Sequence, residues 1–266
     1  MRTTVTLWIV ATLLTLVMAA WQRVSGPTFP IYGRADVGAA HVAYELERTH
    51  AGPGDHVVLV PEAEGLAGTL EWREHVERAA DAGPWSAVPL APVPGARTPS
   101  LGAAIPHHGP GRKVDYRVTL RAGGATATLP PAGQATLRFR SDVPAWILIP
   151  HIVAMMGALL LSVRVALECF RREPKLRLLT FRALAALFLG GFPLGCAVSG
   201  YAFGQPWGGF PIGTDATDNK TLLAFLGWVI AAVAVTRFRN PRGYVIGAAV
   251  ITFLVYLVPH SVTLPH

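Results

Sequence analysis

The chain has 266 residues, 52% of them hydrophobic and only 15% charged. A soluble domain carries roughly 25% charged residues, so the composition excludes an ordinary soluble protein and points to membrane segments. The formal net charge is +7, but many arginines flank apolar runs and no nucleic-acid motif occurs, which excludes nucleic acid as a partner.

The first apolar run, Thr4 to Ala20, follows Arg2. Val-Met-Ala at its end resembles a signal-peptide cleavage site, whereas Trp21 and a basic residue just beyond favour an uncleaved anchor. Either reading exports the segment that begins at Trp21. Residues 1–20 are therefore expected to be an anchor or signal segment, 21–143 an exported domain and 144–266 a membrane domain.

The exported segment is rich in Pro and Gly, with short alternating runs such as HVAYELE, DHVVLVP, GTLEWREHV, KVDYRVTLRAG and ATLRFR. In KVDYRVTL, Val114, Tyr116, Val118 and Leu120 share one face, the period of a half-buried strand. About seven such strands with GG and PG turns predict an antiparallel β-sandwich of immunoglobulin or fibronectin III character. The fold class expected is thus an α+β membrane protein, with an anchor helix, a β-sandwich and a bundle of four transmembrane helices.

Those four helices are expected near 146–167, 179–199, 220–236 and 243–259, each long enough for a hydrocarbon core roughly 30 Å thick. The loop ECFRREPKLR carries Arg171, Arg172, Lys175 and Arg177, and TRFRNPR carries Arg237, Arg239 and Arg242. The loop from Gly200 to Asn219 and the tail after Pro259 have no Lys or Arg. The positive-inside rule then predicts a bacterial cytoplasmic-membrane protein, N-terminus inside, with the β-domain and C-terminus outside. Arg164 and Glu168, at i and i+4 near the inner end of their helix, predict an interfacial ion pair. Cys169 and Cys196, at opposite ends of adjacent segments, are too far apart to bridge.

This topology gathers polar residues at the outer face. His151 follows Pro150 and His260 follows Pro259, at the outer ends of two helices, with PWGGFPIGTDATDNK (206–220) between them in sequence. Intramembrane ionisable groups usually face a bundle interior or a site, although each histidine taken alone also suits an interfacial role. In the loop, Trp207 and Phe210 suit interface anchors. Thr217 or Asp218 is the expected N-cap of the following helix, leaving Asp215 and the glycine cluster without an assigned role.

The loop and its flanking histidines resemble the tryptophan-rich-loop heme-handling proteins of cytochrome c maturation, whose W-G-x-W-W-x-W-D loop runs into a helix. Trp207, Gly208 and Asp215 carry the likeness, with Phe210 in place of a tryptophan and Asp215 one residue late. The resemblance implies heme ligated by His151 and His260, with Trp207, Phe210 and Asp215 along the macrocycle. Two imidazoles suit either heme b or copper, and Met155, one turn from His151, is a further copper(I) donor. The segments IPHI, GTDATDNKTL and VPHS also look like those of a group of bacterial membrane proteins, a likeness that implies no function.

In PHHGPG, the adjacent His107 and His108 are expected to point to opposite faces of an exposed turn, a poor chelate. Catalytic motifs such as GxSxG, HExxH and GxxxxGK[ST] are absent. Three readings remain: an accessory or assembly subunit binding a protein partner through its sandwich or helices, a heme- or copper-handling protein, and a transporter. All three have the lipid bilayer as a partner.

Overall fold

The computed structural model describes residues 2–76 and 78–258. His260 and the rest of the tail lie outside the described residues. The chain divides into two compact units, one made of Met1–Pro27 with Val143–His266, the other of Thr28–Asp142.

The first unit is helical: α1 (Arg2–Ser25), α2 (Ala145–Glu168), α3 (Leu176–Leu189), a π turn (Gly190–Leu194), α4 (Gly195–Phe203), α5 (Ala216–Arg237) and α6 (Arg242–Leu257). Four stretches are long and apolar enough to cross a membrane: Thr4–Ser25, Ala145–Glu168, Leu176–Phe203 and Ala216–Arg237. Helix α6 has 16 residues, about 24 Å at 1.5 Å per residue, shorter than the span expected over 243–259. Helix α1 continues five residues past the apolar run, and its last turn has a use. Trp21 Nε1 donates to Leu257 O at 3.0 Å, and Gln22 Nε2 donates to Tyr256 O. With Lys220 Nζ on Val258 O at 2.6 Å, these donors satisfy carbonyls at the end of α6 that have no partner within the helix.

Packing of α5 on α6 follows from small residues. Ala231, Ala232, Ala234, Ala248 and Ala249 are buried, letting the backbones approach as membrane helices do without a hydrophobic drive between them. The larger Trp228 is fully buried beside them, its Nε1 donating to Thr252 Oγ1 at 2.8 Å. Tyr256 Oη donates to Met155 O at 2.9 Å and ties α6 to α2. The π turn has a local cause. Pro193 lacks the N–H that an α-helix would donate four residues back, and the ladder widens there.

The second unit is built of strands. Strands β1 (Ile31–Val37) and β2 (Ala40–Leu46) form a hairpin; β3 (Thr49–Ala51) and β4 (His56–Pro61) follow, then β5 (Ala67–Glu74), β6 (Ser86–Pro89), β7 (Ala91–Pro92), β8 (Ser100–Ile105), β9 (Lys113–Ala122), β10 (Ala125–Leu129) and β11 (Ala135–Arg140). A six-stranded sheet runs β3-β11-β9-β5-β6 with β10 also on β9, and a three-stranded sheet runs β4-β8-β7. Side chains from all the sheets meet in one core that includes Leu46, Val60, Leu70, Ile105, Leu120 and Phe139. Burial of each such side chain is worth about 1.5–3 kcal/mol.

The period-2 reading of β9 holds, since Val114, Tyr116, Val118 and Leu120 are all fully buried. Two features depart from it. Asp115, on the opposite face, is also buried; its Oδ1 accepts from Thr136 Oγ1 at 2.7 Å and lies 2.9 Å from His75 Nδ1. The strands are not all antiparallel either, because β3 pairs with β11 in parallel. This follows from chain direction: β3 leaves the hairpin and joins the sheet alongside its last strand.

Candidate functional site

Within the helical unit, the chemistry-bearing residues gather on the π turn and on the loop between α4 and α5. His151 lies in the second turn of α2, and its Nδ1 stands 2.9 Å from Gly190 O, the first carbonyl of the π turn. A carbonyl only accepts, so Nδ1 carries the proton and Nε2 keeps the lone pair. Glycine at 190 is required by packing: a Cβ there would stand 2.8 Å from Met155 Sδ and 3.1 Å from Met155 N. Met155 is thus buried against the π turn as a packing residue. Trp207 meets the same turn from the loop, stacked on Phe192 with ring centres 5.5 Å apart and planes at 19°. Phe192 in turn contacts Phe188 and Phe225.

The loop spends its polar side chains on itself. Asp215 is the N-cap of α5, its side chain accepting from Thr217 N at 2.8 Å and Asp218 N at 3.1 Å. This corrects the expectation that Thr217 or Asp218 caps the helix. Helix α5 starts at Ala216, so Thr217 and Asp218 supply the backbone donors that the cap satisfies. Asp218 is turned back instead, with Oδ2 accepting from Gly208 N at 2.6 Å. Asn219 Oδ1 accepts from Phe210 N at 2.7 Å, and Trp207 Nε1 donates to Phe210 O at 3.2 Å.

Glycines are needed because the turns nest. A Cβ at Gly209 would stand 2.7 Å from Asp218 Cβ, and one at Gly213 would stand 2.5 Å from Gly208 O. The space beside Gly209 and Gly213 is therefore filled by the loop's own atoms. Phe210 and Ile212 point out of the loop, 69% and 73% exposed.

Of the ligands that the resemblance implies, His151 presents Nε2, while His260 lies outside the described residues. A small recess with room for about one water molecule lies nearby, lined in part by Gln22, Met155, Lys220, Thr221 and Tyr256. Among the described residues, no group of three or more His, Cys, Asp or Glu is arranged to hold a metal ion. Cys169 and Cys196 are both free thiols.

At the other end of α2, Arg164 Nη2 and Glu168 Oε2 stand 2.8 Å apart. The expected ion pair therefore forms, and it is buried within the helical unit, with 3% and 1% of the residues exposed. Trp8 of α1 covers the guanidinium, 5.3 Å from its ring centre, and Glu168 Oε1 also takes Arg171 Nη1 at 3.1 Å and Lys175 N at 3.2 Å.

The strand-built unit holds a cluster that no sequence motif marks. His50 in β3 and His56 at the start of β4 face each other, with Nδ1 to Nδ1 3.4 Å and ring centres 5.2 Å apart. His107, just past β8, joins them; its Nδ1 is 3.2 Å from Gly54 O, the carbonyl that His50 Nε2 meets at 2.8 Å. Neither His107 nor His108 lies in a strand, and both rings approach Phe139, at 5.5 and 5.3 Å between ring centres. Beyond Phe139 the two rings part, His107 lying toward His50 and His108 toward Trp72, at 6.4 and 5.6 Å between ring centres. Burial, with the neighbouring His50 as a lesser cause, pushes the His56 imidazole down to about 4. The sequence signals the cluster only in part: HAGPGDH (50–56) has the composition of a tight turn with a histidine at each end.

No protein-family model, curated protein or solved structure matches this chain.

Proposed function

We propose that the protein is an integral membrane accessory subunit of the bacterial cytoplasmic membrane, anchored by its helices and binding a protein partner through its strand-built domain. In this reading the domain is a β-sandwich on the outer side, the N-terminus is inside and the C-terminus is outside. The basic loops around Arg171 and Arg239 support that orientation, and the shared core of the sheets supports the sandwich. The bonds from Trp21 and Gln22 to the end of α6 support α1 as a resident helix rather than a cleaved leader.

One observation carries the partner-binding role. Strand β4 pairs with β8 and, among the described residues, forms a ladder with no other strand, β2 lying close to it without pairing. On its outward face Val57 and Leu59 are 48% and 42% exposed. An open edge with apolar side chains beside it accepts an added strand through main-chain hydrogen bonds, with the side chains setting specificity. Photo-crosslinking residues at positions 57 and 59, used in native membranes, are expected to capture one discrete partner. Leu59→Lys is expected to abolish capture while the protein stays folded. A chain that gives no adduct from either position and remains monomeric after gentle solubilisation overturns this reading.

A heme- or copper-handling role is the second reading, favoured by one observation: the Gly190 carbonyl fixes the His151 tautomer that leaves Nε2 free, as in metal-ligating histidines. It predicts a Soret band or bound copper in the purified protein, lost in His151→Ala. Protein with neither removes it.

A further inference from the structure

The loop joining β3 to β4 carries the chain from the six-stranded sheet to the three-stranded one. It spans residues 52–55, with Gly52 at φ +103° providing the turn. Its effect is to bring His50 and His56 face to face across the gap between two sheets. Backbone hydrogen bonding decides which ring nitrogens are available. The Gly54 carbonyl accepts, so His50 Nε2 is its protonated nitrogen and His50 Nδ1 holds a lone pair. That lone pair faces His56 Nδ1 at 3.4 Å. A neutral pair has at most one proton for this contact, and a tautomer change at His56 leaves two lone pairs facing each other.

The spacing has a specific chemical meaning. Two Zn–N bonds of about 2.0–2.1 Å at the tetrahedral angle place their nitrogens roughly 3.3–3.4 Å apart. The Gly54 carbonyl behind His50 is the outer-shell partner that metal-ligating histidines generally have, fixing both tautomer and ring orientation. Asp55 adds a carboxylate to the same loop, its Oδ1 accepting from His107 N at 2.8 Å.

We propose that His50 Nδ1 and His56 Nδ1 form a two-imidazole site for a divalent transition metal ion of the zinc class. No third His, Cys, Asp or Glu completes a chelate among the described residues, so water fills the remaining positions and the ion exchanges readily. Imidazole donors and the tetrahedral spacing select zinc over magnesium or calcium, which take oxygen donors in higher coordination. The site lies wholly in the strand-built unit, separate from His151, and does not depend on the partner-binding reading.

The full chain, purified in detergent without a polyhistidine tag and stripped with chelator, tests this by titration with zinc against a chromophoric indicator. One zinc equivalent per chain is expected, with at least tenfold weaker binding in His50→Gln and in His56→Gln and no change in His41→Gln. Cobalt(II) in the same protein is expected to give the visible bands of a tetrahedral ion. Because His56 is buried and its variant is open to misfolding, wild-type protein carries a second measurement. Zinc is expected to protect His50 and His56, but not the exposed His41, from diethylpyrocarbonate. Absence of zinc binding by the wild type, binding unchanged in both variants, or equal modification of His50 with and without zinc overturns the proposal.

Discussion

Each unit of the molecule anchors an imidazole on a glycine carbonyl, His151 on Gly190 at 2.9 Å and His50 on Gly54 at 2.8 Å. In the helical unit the glycine is a packing requirement, wedged against Met155, and the polar groups are held in small sets: Arg164 with Glu168, His151 with a carbonyl, Trp228 with Thr252. In the strand-built unit Gly54 stands in the open, with nothing within 4 Å of a Cβ placed on it, and histidines from three segments converge. The difference follows from architecture. Helices satisfy their own backbones and leave few donors or acceptors for side chains, so buried polar groups need partners on neighbouring helices or one turn away. Strands that switch sheets bring distant residues to one edge, where side chains of the same kind can accumulate.

The largest expected effect tests the isolated pairs of the helical unit. Glu168→Ala leaves the Arg164 guanidinium buried without its carboxylate and removes the acceptor for Arg171 and the Lys175 amide. Loss of one partner of a buried ion pair costs about 3–5 kcal/mol. Arg164 Nε and Nη1 already have no hydrogen-bond partner, so little compensates. Thermal denaturation in detergent is expected to show a large drop for Glu168→Ala and substantial recovery for the double variant Arg164→Met/Glu168→Leu. An equal drop in the double variant makes the pair's contribution one of packing rather than charge.

In the strand-built unit the comparable effect is driven by protons. His56 is held at about 4 in the folded state, against an ordinary value of 6.5. The unfolded chain therefore binds more protons between those values, and stability falls as pH drops from 6.5 toward 4, levelling off below. The shift corresponds to about 3 kcal/mol at most. Hydrogen exchange of the β4 amides, with chelator present, is expected to accelerate over that window in the wild type and much less in His56→Phe. A wild-type exchange profile flat from pH 7 to 4, after correction for intrinsic rates, contradicts the buried neutral imidazole.

The two glycines give a sharper contrast. Gly190→Ala pushes a methyl into Met155, including its backbone nitrogen, and overpacking of this kind costs about 1–3 kcal/mol. Gly54→Ala meets no atom and is expected to stay within about 0.5 kcal/mol. Parallel melting curves check both. A Gly54 variant that loses as much as the Gly190 variant breaks the distinction between a packing glycine and a turn glycine.

These contrasts also mark what the sequence makes legible. The β9 strand can be read from Val114, Tyr116, Val118 and Leu120 because burial alternates with the local backbone period. The four long apolar helices can be read from composition alone. His50 and His56 cannot be paired that way, since their contact depends on β3 joining β11 in parallel while β4 joins another sheet. The place of His107 beside His50 and Gly54 is hidden for a related reason, since it depends on how the segment after β8 meets the turn between β3 and β4. Burial of the Arg164–Glu168 pair is also hidden, because i and i+4 spacing is the same whether the helix face meets water or Trp8.

The loop between α4 and α5 shows the limit most clearly, since Asp215 and Asp218 both fit an N-cap pattern and only the path of Gly208 distinguishes them. Asp215 accepts two helix N–H groups, and Asp215→Ala is expected to cost about 1 kcal/mol and fray the start of α5. Thr217→Ala, which removes no capping acceptor, is expected to leave the start of α5 intact. Asp218→Ala is expected to act elsewhere, freeing the Gly208 amide and loosening the loop while the first turn of α5 holds. Hydrogen exchange separates the outcomes: faster exchange at Thr217 and Asp218 in the Asp215 variant, and at Gly208 in the Asp218 variant. If Asp218→Ala exposes the first turn of α5 instead, the cap belongs to the later carboxylate and the loop is held by its glycine turns alone.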